Sequence, residues 1–346
     1  MMRAAKVRET SIQVMGGGPA GSAAAIAALC EGSPVELFEP SRFPRHKVCG
    51  EFLSPEIGCQ LEALGLGGAF QAMRPARISS LALHFHSRSR QWTLPETAFG
   101  MSRYEFDRLL FEKAAALGAS LNRERLPPRT SAAASGHPLV AASGRKNIAP
   151  RGRRLFGFKA HFTGPADDVV NLFFFSRFYA GVSAVENGIT NVCGIAAEEE
   201  LARYDFEIDN VIAGWKPLAR RLAPLARVTR WYQVGPLVFG SQWDRLAGSA
   251  GPGRLYPAGD ALGFLDPFTG TGLVHAVASG RLAGLAASRG TPPCAYLAEY
   301  RRIAGKLFWV ARFLRVALVT GLAESLGPWI PPRFLFRLTR LTGCSQ

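Results

Sequence analysis

The chain has 346 residues of which 48% are hydrophobic, enough to bury a core and to build two domains or one domain with a large insertion. Its formal net charge is +15, but the arginines are spread along the chain and no basic, aromatic-interleaved cluster appears, which excludes a nucleic-acid partner. The six cysteines show no C-x-x-C pair or metal-ligand spacing, no secretory segment precedes the first apolar run, and the apolar stretch at 307–322 is broken by Arg312 and Arg315. These features lead to the expectation of a cytoplasmic protein with no bound metal and no transmembrane segment.

The first element is a short apolar strand, Ile12–Met15, followed by Gly16-Gly17-Gly18-Pro19-Ala20-Gly21 and an alanine-rich run to Cys30. Strand, tight turn and helix in this order hold a dinucleotide pyrophosphate. Gly16 permits the turn, Gly18 leaves room for phosphate beside the backbone, and Gly21 lets helix and strand pack closely. Glu39 ends the next apolar run, eighteen residues past Gly21, where a carboxylate can accept hydrogen bonds from ribose hydroxyls.

Alternation of Leu81, Leu83 and Phe85, then Trp92 and Leu94, predicts half-buried strands over 78–94. Between Gly118 and Gly144 the chain is short and contains Pro127-Pro128, with little alternation before Leu139-Val140-Ala141. Residues 155–162, 169–175, 179–185 and 189–195 read as successive antiparallel strands, with Asn187-Gly188 as a hairpin turn. Phe173, Phe174, Phe175, Phe178 and Tyr179 in this block stand either as core or as the lining of an apolar pocket. Residues 199–230 read as helical.

A second glycine cluster runs from Pro257-Ala258-Gly259-Asp260 through Asp266-Pro267-Phe268-Thr269-Gly270-Thr271-Gly272-Leu273 into another alanine-rich helix. A ligand longer than NAD, such as FAD, uses such a segment. Asp260 would bind a ribityl hydroxyl, and the amides around Gly270, Gly272 and Leu273 would stabilise negative charge on a reduced flavin. After Pro331-Pro332, Arg333, Arg337 and Arg340 share one helical face opposite Phe334, Leu338 and Leu341; this basic segment either docks on the core or touches a membrane surface.

The two glycine clusters together resemble the FAD-dependent superfamily of group A aromatic hydroxylases, flavin-dependent halogenases and geranylgeranyl reductases. Within it, Phe43-Pro44-Arg45-His46-Lys47-Val48-Cys49-Gly50-Glu51 is most similar to the geranylgeranyl reductases. The resemblance implies an α/β fold: a Rossmann-type FAD-binding domain (1–74, 101–154 and 245–290), an inserted antiparallel-sheet substrate domain (75–100 and 155–244) and a C-terminal helical segment (291–346). It also implies that Cys49, Gly50 and Arg103 contact the cofactor, Arg103 lying in Ser102-Arg103-Tyr104-Glu105-Phe106-Asp107. On their own chemistry, Cys49 is either a small buried side chain or a proton-transfer thiol, and a guanidinium at 103 suits a diphosphate. In the family's strand ending Gly-Ala-Asp-Gly, Ser143 here stands at the aspartate position, and strands missing from the short 119–142 region are expected to expose a sheet edge and weaken cofactor binding.

The function implied is an FAD-dependent oxidoreductase that moves a hydride to or from an apolar, isoprenoid, lipid-like or polyketide substrate, with NADPH or another external electron donor. A monooxygenase acting on an aromatic substrate and a non-catalytic protein on a degenerate flavoprotein fold remain as alternatives. A halogenase is disfavoured, since Tyr179-Ala180-Gly181-Val182-Ser183-Ala184 lacks the W-x-W-x-I-P signature. No catalytic Ser/His/Asp set is evident.

Overall fold

The computed structural model describes residues 10–85, 88–126, 136–145, 154–175, 178–241, 254–265 and 269–319. In chain order its first half comprises β1 (Ile12–Met15), α1 (Pro19–Cys30), β2 (Val35–Phe38), β3 (Phe52–Leu53), α2 (Ile57–Glu62), α3 (Gly67–Ala72), β4 (Ala76–His84), β5 (Ser89–Gly100), α4 (Arg103–Ala116), β6 (Ser120–Asn122) and β7 (Leu139–Ala141). There follow β8 (Leu155–Thr163), β9 (Val169–Phe175), β10 (Phe178–Ala184), β11 (Ile189–Ala197), α5 (Glu198–Ala202), α6 (Ile208–Ala213) and α7 (Lys216–Leu222). The last elements are β12 (Ala226–Arg227), β13 (Tyr232–Val234), β14 (Gly240–Ser241), β15 (Leu255–Pro257), β16 (Gly263–Phe264), α8 (Gly272–Arg289) and α9 (Pro293–Val319).

Five strands form a parallel sheet in the order β15-β7-β1-β2-β6. The order turns back at β1, so the chain leaves β1 and β7 in opposite directions and opens a crevice at their carboxyl ends. Strands buried on both faces read as unbroken apolar runs, which is why Leu139-Val140-Ala141 carries no alternation although all three residues are buried. The region from 119 to 145, expected to be poor in strands, thus supplies two: β7 near the centre of this sheet and β6 at its edge. Ser143 does not enter it, and the residues at 127–135 lie outside the described residues.

The second sheet has the order β12-β8-β11-β10-β9-β4-β5-β3, with β13 also paired to β8. It is antiparallel except where β4 meets β9. The β10–β11 hairpin turns through Asn187 (φ 58°) and Gly188 (φ 69°), two left-handed residues that match the strand twist. Residues 199–230 are not one helix. Asp205 and Phe206 adopt left-handed φ of 54° and 60° and Pro224 follows α7, leaving three short helices and then β12 and β13. These helices cover one face of the second sheet through Leu201, Val211, Trp215 and Leu218. The other face looks toward the residues after β2, where the candidate site lies.

Candidate functional site

The first glycine loop is shaped by close backbone approaches. Gly16 has φ +100°, and a Cβ there would lie 2.5 Å from the Ala142 carbonyl oxygen just past β7. A Cβ on Gly21 would lie 1.7 Å from the Gly16 carbonyl oxygen. At Gly18, by contrast, nothing lies within 4 Å of that direction, and no side chain caps the first turn of α1. The loop therefore presents uncapped amides to open space, an anion site by construction.

Glu39 is buried at the end of β2 and accepts hydrogen bonds from the Gly17 amide (3.0 Å), the Ser41 amide (2.9 Å) and Arg45 Nη2 (3.0 Å). Burial alone would raise its carboxyl, but the Ser41 and Gly17 amides and the Arg45 guanidinium together hold it below the usual range. The residue expected to meet a ribose also locks the glycine loop from behind.

The second glycine cluster packs directly on the first. Gly259 has φ +58°, and its added Cβ would stand 2.8 Å from Ala20 Cβ. Gly280 and Gly284 of α8 lie so close to α1 that a Cβ would meet the Ala20 and Ala24 carbonyl oxygens at 2.0 and 2.2 Å. Small residues on both helices thus bring Asp260 to the mouth of the first loop. Gly272, at the uncapped start of α8, again has nothing within 4 Å, whereas Gly270 (φ +66°) abuts the Phe52 ring and Leu273 is buried.

A residue absent from the sequence-based expectations fixes this second loop. His275 is fully buried; its Nε2 lies 3.2 Å from the Gly259 carbonyl, so it must donate there, leaving Nδ1 to accept from the Tyr300 hydroxyl at 2.7 Å. Burial pushes this imidazole down to about 4, so it is neutral at physiological pH. Ser279 Oγ accepts from the Gly259 amide (2.9 Å). Burial raises the Asp260 carboxyl, opposed by the positive charges of Arg145, Arg103 and Lys47, a field that also suits phosphate.

Against the second sheet lies a buried ionic cluster. Glu51, wholly buried and in the left-handed region (φ 54°), pairs with Lys159 Nζ and, at 2.6 Å, with His161 Nε2, and accepts from the Arg103 amide at 2.7 Å. Burial would raise Glu51, but His161 and Lys159 outweigh it and hold the carboxylate ionised. Asn191 Nδ2 donates to the Cys49 and Gly50 carbonyls at 3.1 and 2.9 Å, pinning the loop before β3 to β11. Glu186 accepts from the Ser102 amide (2.7 Å) and hydroxyl (2.5 Å), anchoring the start of α4 to the β10–β11 hairpin.

Three expectations change in detail. Arg103 is committed first to Asp107, through Nε (2.6 Å) and Nη2 (2.7 Å); burial opposes its charge, but Asp107 raises its pKa overall. Desolvation pushes the Cys49 thiol up, and Cys193 up to about 12, so burial favours the protonated thiol at both positions. The aromatic run does not line one pocket. Strand alternation sends Phe173, Phe175 and Phe178 against Trp215 under the helices, while Phe174 and Tyr179, paired across β9 and β10, share the face that carries Lys159 and His161. His84 lies on β4 beside Asn171 and Ser89, His86 lies outside the described residues, and no metal-binding group of three occurs among the described residues.

No family model matches the chain. Its backbone superposes on the flavin-dependent brominase Bmp2 with a TM-score of 0.73 at 18% identity, covering 95% of this chain and 93% of that one. A flavoprotein/dehydrogenase from Cytophaga hutchinsonii gives 0.74 at 16% identity (95% and 91%), and Pseudomonas aeruginosa PqsL in complex with 2-aminobenzoylacetate gives 0.65 at 17% (94% and 98%). The fold is that of Rossmann-type flavoproteins. Among curated relatives, a menaquinone reductase of Mycolicibacterium smegmatis is 31% identical over 113 residues, and one of Mycobacterium tuberculosis is 46% identical over 56. These matches take in 32% and 16% of this chain, which spans 28% and 14% of the length of the relatives.

The residues present fit FAD. Gly18 and Gly272 leave open space at the uncapped starts of two closely packed helices, and Asp260, next to the Gly259 that abuts Ala20, sits in the field of Arg145, Arg103 and Lys47. The basic segment at 333–341 and residues Asp266, Pro267 and Phe268 lie outside the described residues.

Proposed function

We propose that the chain is an FAD-dependent oxidoreductase acting on an apolar substrate with an isoprenoid-like portion, such as a menaquinone-type lipid. The single observation that carries the cofactor assignment is the junction of the two glycine loops at Ala20, Gly259 and Gly280. When bound, FAD supplies hydride-transfer chemistry. The chain binds and orients it: α1 amides and the nearby cations hold the pyrophosphate, Glu39 a ribose, Asp260 the ribityl chain, and the amides of Gly270, Gly272 and Leu273 the electron-rich edge of the ring. Arg103 and the Cys49–Gly50 backbone stand on the flavin side.

The substrate assignment is supported by one face of the second sheet. Paired positions Leu172 and Gly181, then Phe174, Tyr179 and Ile195, make an apolar end, and Lys159 and His161 make a charged end of the same face. The menaquinone reductases matched in sequence act, by name, on a menaquinone, whose tail is apolar and whose neutral quinone ring offers two hydrogen-bond acceptors. The electron donor is NADPH or another external reductant.

The test is anaerobic turnover. Protein reconstituted with FAD and reduced chemically should convert menaquinone, without consuming oxygen, to a product that stays heavier by one H2 after the ring is reoxidised to the quinone, as saturation of one side-chain double bond requires, read by mass spectrometry against a control without protein. Substrate-dependent oxygen uptake with a hydroxylated product would establish the monooxygenase alternative instead. Failure to retain any flavin after reconstitution would leave only the non-catalytic reading.

A further inference from the structure

Helix α9 has two unlike faces. Tyr296, Tyr300, Ala304, Leu307 and Ala311 are buried in the core beside α8. On the opposite side Trp309 is 71% exposed, Phe313 59% and Val316 50%. The spacing i, i+4, i+7 puts these three on one stripe. The Trp309 and Phe313 rings lie parallel, interplanar angle 8°, with centroids 6.2 Å apart. Arg301, Arg302, Lys306 and Arg312 are all exposed along the same side of the helix, where Glu299 is the acid among the described residues.

We infer that this outer face of α9 docks on an anionic lipid surface. Scattered exposed apolar residues need no explanation, but three large ones in register, two of them aromatic, form a patch. Four cations against one acid set its partner. A second copy of the chain would bring four more cations against the first four, on molecules that each carry +15, whereas anionic headgroups meet the cations and let the indole and phenyl rings enter the interface between headgroup and acyl chain. The contact is peripheral: among the described residues no helix is long and apolar enough to cross a membrane. The inference stands on this helix face and not on the proposed reaction, and it concerns a different segment from the basic stretch at 333–341.

The experiment uses the full chain, with vesicles of phosphatidylcholine alone or with roughly one-third phosphatidylglycerol. The protein is expected to co-sediment with the anionic vesicles, to be released by salt and to ignore the neutral ones. Both Trp309→Ser/Phe313→Ser and Arg302→Gln/Lys306→Gln/Arg312→Gln should lower the partition coefficient about tenfold or more, with circular dichroism and melting temperature unchanged. A second readout does not depend on those variants folding. Brominated anionic lipid should quench tryptophan emission of the unaltered chain, and Trp309→Phe should bind normally yet lose most of that quenching.

Absence of binding to anionic vesicles would overturn the inference. So would unchanged binding by both multiple variants, which would move the contact elsewhere, to 333–341 for example. Light scattering that shows a dimer dissolved by Trp309→Ser/Phe313→Ser would assign the face to self-association and overturn it as well.

Discussion

The two glycine loops and the Glu51 cluster both put charge where a ligand would lie, but they are made of different material. The loops are backbone: uncapped amides at Gly18 and Gly272, held by glycines whose missing Cβ atoms let helix meet helix. The cluster is side chain: Glu51 from the loop before β3 with Lys159 and His161 of β8, buried together with no exposed member. Backbone charge cannot be titrated or removed by a single substitution, so that site tolerates change at its rim and fails through steric intrusion. Side-chain charge in the interior fails the moment one partner is lost.

The largest expected effect sharpens this contrast. Lys159→Met leaves a buried carboxylate with His161 and one amide, and should cost about 3–5 kcal/mol of stability in denaturant melts. The double variant Glu51→Gln/Lys159→Met removes both charges and should recover a substantial part of that loss. Cofactor affinity of the double variant, measured by flavin fluorescence, should stay near that of the parent, because the glycine loops are untouched. Should Lys159→Met melt like the parent, the cluster would not be the dry ion pair described, and the contrast would break.

His275 gives the next effect, and it tests the loop side. Its folded pKa of about 4 lies below the ordinary value of 6.5, so the unfolded chain takes up the proton first as pH falls. The stability contributed by the neutral imidazole is complete above pH 6.5 and is lost as pH falls toward 4, in total about 3 kcal/mol. His275→Gln retains a donor for the Gly259 carbonyl but does not titrate. Subtracting its stability profile from that of the parent between pH 7 and 4 should leave this slope; parallel profiles would mean that His275 is hydrated and not holding the Asp260 loop dry.

The same division explains how much the sequence reveals. The Rossmann half, Gly16, Gly18, Gly21, Glu39 and the Gly259–Leu273 segment are legible because the requirement is local: a turn, an approach and a helix start within a few residues. The four strands of β8 to β11 are legible because their pairing is antiparallel and nearly consecutive. Lys159, His161, Asn191 and Glu186 are not legible, since their partners Glu51, Gly50 and Ser102 are more than eighty residues away and nothing but the tertiary pairing joins them. The run Phe173-Phe174-Phe175 misleads for a related reason. Composition says aromatic, but only the register of β9 on β10 says which ring faces which side. Residues 139–141 carry no alternation to read, because a strand buried on both faces has none, and the family resemblance alone marks them as a strand.

The smallest effect falls on Glu39, where the two materials meet. Its carboxylate is a side chain, yet its partners are mostly the Gly17 and Ser41 amides, so it behaves as part of the backbone site. Glu39→Gln keeps one acceptor oxygen, which can stay with the Gly17 amide and Arg45 at the Oε2 position while the new NH2 faces the Ser41 amide, replacing charge-assisted hydrogen bonds by neutral ones at a cost of about 1–2 kcal/mol. The expected result is FAD affinity roughly tenfold weaker in a fluorescence titration with little change in melting temperature, because the glycines that set the loop's shape are intact. A large fall in melting temperature would place Glu39 with the interior charges of the Glu51 kind. An unchanged affinity would mean that the loop's shape alone, without the carboxylate behind it, determines how the ligand is held.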